Sequence, residues 1–150
     1  MTSANNSRGA VRVLPVAALL VALGGPAEAE SLQAGLWKIT STPVVRGAPA
    51  PAQVKTRCLT SEEASDVDKT FSPEHRTQNA ACERVEHEMT GTKLRWRLQC
   101  TGQMAMEVTG TFDFDTPQHY IAVVMTKASI GGQTMDSQVT IEGERVGECQ

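Results

Sequence analysis

Downstream of its first thirty residues the chain has no apolar run near the roughly 20 residues a membrane-spanning helix needs, so integral insertion is not expected there. Lysine and arginine never cluster into a block, which removes the electrostatic footprint of nucleic-acid binding or of docking to an anionic membrane. No Cys-x-x-Cys pair is present to begin a zinc site. Nor is there a Gly-x-Ser-x-Gly elbow, a phosphate-cradling glycine loop or a His-Glu-x-x-His helix; His87-Glu88 runs instead into a strand and turn. These absences leave no reaction class, no cofactor and no metal to predict, and the chain reads as a non-enzyme.

What is present begins with an export signal. Arg8 and Arg12 form a basic start, Val13 to Leu23 is a short apolar run, and Ala27-Glu28-Ala29 supplies the small residues a signal peptidase accepts. Residues 1–29 are therefore expected to be removed, leaving residues 30–150 as one exported domain, periplasmic or secreted. The competing reading is an uncleaved anchor. No cysteine closes the apolar run, so lipid attachment is not indicated. Removing Arg8, Arg12 and Glu28 takes the 14 basic and 17 acidic residues to 12 and 16, a net charge of −4 with both signs interspersed.

All four cysteines, Cys58, Cys82, Cys100 and Cys149, lie in the mature part, and in an exported domain an even count favours two disulfides. Three connectivities are possible. The preferred one is Cys58–Cys82, which closes the irregular segment, with Cys100–Cys149, which ties a central strand to the C-terminus.

The dominant hydrophobic period is two, in short runs broken by glycine-containing turns, and this predicts an all-β antiparallel up-and-down meander forming a curved sheet or small barrel. The one strong helix start is Thr60-Ser61-Glu62-Glu63, a reciprocal capping arrangement, so one short helix is expected after the second strand. A further turn is suggested at Ser72-Pro73. Arg46 to Ala52, rich in proline, reads as an exposed loop. Gly91-Thr92 as a hairpin would pair Met89 with Leu94, His87 with Trp96 and Val85 with Leu98. A loop at Thr101-Gly102-Gln103 would set Cys100 against Met104, Leu98 against Met106 and Trp96 against Val108. A four-residue turn Asp115–Gln118 aligns Phe112 with Ile121, Gly110 with Val123 and Val108 with Met125. A loop over Ile130-Gly131-Gly132 then sets Val123 against Val139 and Ile121 against Ile141. Every pairing puts apolar residues on one face. Strands around Trp37-Lys38-Ile39 and Val54-Lys55-Thr56 complete the sheet.

Leu32 to Thr40 (LQAGLWKIT), Arg57-Cys58-Leu59-Thr60, the Thr92-to-Cys100 strand carrying Trp96, and the terminal Arg145-Val146-Gly147-Glu148-Cys149 together resemble an exported bacterial family catalogued as domain of unknown function 3617. The likeness spans essentially the whole mature chain. It implies a small exported protein of Gram-negative bacteria, and it carries over no catalytic residue. Members are often rich in methionine and glycine in the proline loop, whereas Val44 to Ala52 here holds no methionine.

Candidate ligand contacts are Trp37, His87 and Trp96, since in the proposed register His87 is the one histidine of His75, His87 and His119 that faces the apolar side. Met104, Met106, Met125 and Met135 offer thioether sulfur of the kind that holds Cu(I), but the same face packs them against valine, leucine and isoleucine. Glu107, Asp113 and Asp115 fall on the opposite face and read as a solvated surface. Three functions follow: a carrier holding a small apolar molecule against Trp37, Trp96 and the methionines; an inhibitor or envelope interaction protein meeting its partner through Pro43–Ala52; and a hydrolase resting on three histidines alone. An internal cavity favours the first, a filled interior with an ordered proline loop the second, and a buried polar triad the third.

Overall fold

A computed structural model describes Met1 and residues 31–150, apart from 74–75, 78–79 and 103–104. The expected signal at 1–29, His75 and Met104 lie outside the described residues. The rest is one curved, unclosed antiparallel sheet with two short helices. Its strands are β1 (Gly35–Val45), β2 (Ala48–Pro49), β3 (Gln53–Leu59), β4 (Arg76–Thr77), β5 (Ala80–Thr90), β6 (Lys93–Gly102), β7 (Ala105–Thr116), β8 (His119–Ile130) and β9 (Gln133–Gly147). Strands β5 to β9 follow one another as a meander. The N-terminal strand β1 then pairs with β9, and β2 and β3 line the far side of β1. The meander is therefore extended at its C-terminal end, and β3 and the β5–β4 side remain as separate edges.

The turns explain most of the register. Thr90 pairs with Lys93 around Gly91-Thr92, which brings Met89 opposite Leu94 and His87 opposite Trp96 as expected. A bulge beyond Glu86 then breaks the alternation, so that Arg84 and not Val85 faces Leu98, and Val85 is left exposed. Between β6 and β7 the observed pairs are Cys100 with Met106, Leu98 with Val108 and Trp96 with Gly110. This is two residues away from the expected pairing; an even shift keeps the same residues on the inner face, and it gives the Trp96 indole a glycine to lie over.

Strand β8 carries the larger correction. Thr116 pairs with His119 around a two-residue Pro117-Gln118 turn, and an irregularity between Asp113 and Thr116 adds an odd residue. Phe112 thus faces Ala122 and Gly110 faces Val124, one residue from expectation. A one-residue slip reverses a strand, so Tyr120, Ala122 and Val124 point inward while Ile121, Val123 and Met125 point outward. The β8–β9 turn is also two residues, Gly131-Gly132, both with positive φ as the mirror-image hairpin turn requires. Ala122 faces Ile141 and Val124 faces Val139, so the second slip cancels the first and β9 keeps its expected inner residues.

Thr60 caps the first helix in the expected box: its hydroxyl accepts from the Glu63 amide at 3.2 Å, and Glu63 Oε2 accepts from the Thr60 amide at 2.9 Å. There are two helices rather than one, α1 (Ser61–Ser65) and α2 (Val67–Phe71), because Asp66 ends the first and caps the second by accepting from the Lys69 amide. Ser72 caps the end of α2, and the turn suggested at Ser72-Pro73 would run into 74–75, outside the described residues. Five-residue helices have no stability of their own. These two are held by Ala64, Val67 and Phe71, which pack onto the concave face of the sheet. Phe71, itself partly buried, lays its ring on the aromatic cluster, with centroids 5.5, 5.3 and 5.0 Å from Phe112, Phe114 and Tyr120.

The disulfides are Cys82–Cys100 and Cys58–Cys149, not the preferred pairing. Cys82 and Cys100 are direct partners across β5 and β6, with Cα atoms 4.0 Å apart. Cys58 on β3 meets Cys149, just past the end of β9, across the start of the intervening β1, with Cα atoms 5.5 Å apart. Strand neighbours decided the connectivity. The preferred pairing assumed that Cys82 lies in an irregular segment, whereas it sits in β5.

Candidate interaction surface

The structure does not gather Trp37, Trp96 and His87 around one cavity. Trp37 is 2% exposed and Trp96 6% exposed, and each indole N–H donates to a backbone carbonyl, of Gln33 at 3.0 Å and Phe71 at 3.1 Å. The space beside Trp37, bounded by Ile39, Leu59, Phe71 and Tyr120, is about 10 Å³, which is room for one water at most. His87 does lie on the inner side, beside Trp96, but at the rim. Its Nε2 is 2.5 Å from Asp68 Oδ1 and links the edge strand to α2. Beside this link runs a groove of about 470 Å³ lined by Asp66, Asp68, Lys69, Ser72, Arg84 and His87, polar throughout.

The methionines divide between faces. Met106 and Met135 both register with Ala128 on the inner side, whereas Met125 is outside and 44% exposed. The Met135 sulfur accepts from Arg46 Nη2 at 3.0 Å. Among the described residues, no group of three or more histidine, cysteine, aspartate or glutamate side chains is placed to hold a metal ion. Pro43–Ala52 is partly ordered by pairing: Val44 faces Pro49 and Val45 faces Ala48 around an Arg46-Gly47 turn with φ of 51° and 77°. The hairpin tip is exposed, as expected, but Ala48–Pro49 is strand and not loop.

The outer face of β8 is the feature that the register correction uncovers. Ile121, Val123 and Met125 form a line there, with Ile121 also 44% exposed. Ile121 lies between Asp113 and Glu142, whereas the residues facing the other two across β7 and β9 are uncharged. Val123 lies between Thr111 and Thr140, and the row continues to Thr42 on β1; Met125 lies between Thr109 and Gln138, followed by Val44. An apolar line within a threonine-rich field is unusual on a face turned to water, where single exposed apolar residues are ordinary but contiguous ones mark contact sites.

Charge surrounds this field. At the end nearest Ile121, His119 sits between two carboxylates, its Nδ1 2.7 Å from Asp115 Oδ1 and its Nε2 3.3 Å from Glu142 Oε1. The hydrogen bond to Asp115 raises the imidazole above its ordinary value. Lys38 pairs with Glu144 at 2.5 Å, which raises the ammonium and lowers the carboxyl. Lys93 and Thr92 hold Asp113, and the Lys93 hydrogen bond keeps that carboxyl below its ordinary value. At the other end Lys127 registers between Glu107 and Asp136, and Arg97 joins Glu86 and Glu107 at 2.6 and 3.1 Å. The set Glu107, Asp113 and Asp115 is thus ion-paired sheet surface.

A family model described as a protein of unknown function, DUF3617, matches residues 32–149, from the first buried leucine to the last cysteine. The chain belongs to the DUF3617 family. No curated protein and no solved structure matches it. Membership fixes the extent of the DUF3617 unit, which takes in all nine strands, both helices and both disulfides. Two disulfides fit an oxidising environment outside the cytoplasm, and among the described residues no helix is long and apolar enough to cross a membrane.

For this DUF3617 chain, the sequence did hold a signal for the outer line. His119 to Met125 (HYIAVVM) is apolar at both odd and even positions. A strand with only one buried face has no use for that, and the excess pointed to a second contact surface.

Proposed function

We propose that this DUF3617 chain is a non-enzymatic, exported protein that binds a protein partner across the outer face of its sheet. The observation that carries this reading is the line Ile121, Val123 and Met125 on the outer face of a central strand, with Ile121 and Met125 exposed and Val123 half-buried between two threonines. A partner would remove that apolar surface from water, with a gain of about 25 cal/mol per Å² before the costs of association. Binding of a small apolar molecule against Trp37 and Trp96 is less favoured, because both indoles are buried and the space between Trp37 and Phe71 is about 10 Å³. The hairpin Pro43–Ala52 borders the same outer face through Val44, which shares a row with Met125. The envelope-interaction role expected of that loop becomes part of one surface.

The test is site-specific photo-crosslinking in cells that export the protein. A photoreactive residue at Val123 should yield a discrete protein adduct, and Ile121→Lys with Met125→Lys should abolish it while the purified variant stays folded. An adduct that persists in the double variant, or no adduct from Val123, Ile121 or Val44, would rule out this face.

A further inference from the structure

We infer that the partner segment is cationic and amphipathic, laying an apolar side on Ile121, Val123 and Met125 and basic side chains on the carboxylates at the His119 end. This rests on the outer-face reading above and adds to it the chemistry of the occupant. The surface offers a partner complementarity of two kinds, apolar and electrostatic.

The apolar part sets the length. Ile121 to Met125 is four residue steps along β8, about 14 Å at 3.4 Å per residue. Roughly nine residues of helix cover the same distance. The electrostatic part sets the sign. Asp113 and Asp115 on β7 and Glu142 and Glu144 on β9 gather at one end of the line, where Lys38 and Lys93 are the permanent cations paired with them, and Arg95 lies one row away beyond Thr111. His119 adds a third positive charge only when protonated. The four carboxylates remain between 41% and 52% exposed, so their outward lone pairs are open to a partner. The opposite end of the line, where Lys127 and Arg97 meet Glu107, Glu86 and Asp136, is closer to balance. A segment with its basic residues at one end therefore docks in one direction. Like charge excludes an acidic segment from the same place, which is how such a rim selects its partner.

Isothermal titration calorimetry and backbone NMR shift mapping of the mature protein test this with two synthetic probes, a leucine–lysine amphipathic peptide of about 14 residues, roughly 21 Å as a helix, and its leucine–glutamate counterpart. The lysine peptide should bind, shift the amides of 121–125 and 140–144, and weaken as salt is raised. The glutamate peptide should bind at least tenfold more weakly. Ile121→Lys with Met125→Lys should lower affinity tenfold or more, and Asp115→Asn or Glu142→Gln about twofold to fivefold each, the scale of an exposed ion pair. Equal binding of both peptides, or carboxylate variants indistinguishable from the parent, would overturn the cationic assignment; a crosslinked partner at Val123 would still uphold the face. Shifts confined to the α2–β5 groove, with binding intact in the double lysine variant, would overturn both.

Discussion

The indole of Trp96 lies over Gly110, its direct partner on β7, and a β-carbon on that glycine would overlap the six-membered ring. Tyr120 covers Gly143 on β9 in the same way. In each case the glycine lets an aromatic lie flat on the neighbouring strand, where a side chain would hold it away. The two rings then build the floor on which Phe71 rests, since Phe71 meets Tyr120 at 5.0 Å and Trp96 donates to the Phe71 carbonyl. A cross-strand pair on the sheet thus fixes the position of the helices.

Gly110→Ala should accordingly cost about 1–3 kcal/mol through overpacking, although alanine is ordinarily the better strand residue. Trp96→Ala removes the ring itself and should cost about 3–5 kcal/mol. Urea unfolding measures both. Wild-type stability for Gly110→Ala would show that the ring does not lie on the strand.

Phe71→Ala should cost less than the roughly 3–5 kcal/mol of a fully buried aromatic, since Phe71 is partly buried, but it empties the contact with three aromatic rings and loosens two helices too short to persist alone. Hydrogen exchange localises the effect. Amides of 61–72 should lose protection ahead of β6 to β9, and uniform loss across the sheet would contradict the anchoring role.

How much of this could be read from the sequence depended on which interaction set each feature. The Thr60–Glu63 cap is local, and four residues were enough to place it. Period-two alternation gave the sheet, and Gly91-Thr92 gave the first hairpin. The β8 register was not local: Asp115 to Gln118 reads as a four-residue turn, and only the burial of Tyr120 over Gly143 selects the tighter one. The disulfides failed for the same reason. Pairing β1 with both β9 and β3 is a long-range event, and it is what brings Cys58 to Cys149. The inner-side position of His87 was legible, whereas its bond to Asp68 depended on where α2 packs.

The two disulfides should differ in weight. In the chain-entropy model a crosslink over 91 residues contributes about 4.6 kcal/mol and one over 18 residues about 3.2 kcal/mol. Replacing Cys58 and Cys149 with alanine should therefore lower stability more than replacing Cys82 and Cys100. Intact mass after alkylation without reductant should show a mature chain starting at Glu30 with no label. Peptide mapping that recovers Cys58–Cys82 would refute the strand order around β1.

Stability should decline above pH 6.5 through His119. Its folded pKa is raised, chiefly by the hydrogen bond to Asp115. A raised imidazole contributes fully below its unfolded value of 6.5, and the contribution is lost as pH rises through the folded value. Asp113 and Glu144 act oppositely: their depressed carboxyls contribute fully above the unfolded values of 3.8 and 4.5 and lose that contribution as pH falls through the folded ones. His119→Gln should flatten the decline above pH 6.5 and alter the acid limb only slightly, because His119 is the smallest of the causes that depress the Glu144 carboxyl. An unaltered profile above pH 6.5 would mean that the imidazole gains nothing from its two carboxylates.

The sharpest test of the fold and of the surface is the same pair of substitutions, because residues 121 and 122 exchange roles between the two possible registers. With Phe112 opposite Ala122, the Ala122 side chain is 1% exposed, and lysine there would have to bury a charge with no partner. Such burial costs several kcal/mol, enough to unfold a small domain. Ile121 faces water, and lysine there gives up only partial apolar contact, within about 1 kcal/mol. Ala122→Lys should thus fail to fold or lose most of its unfolding transition, and Ile121→Lys should melt close to the parent. The reverse outcome would restore the register with Phe112 opposite Ile121. It would return Val123 and Met125 to the interior and leave the outer face with no apolar line for a partner to cover.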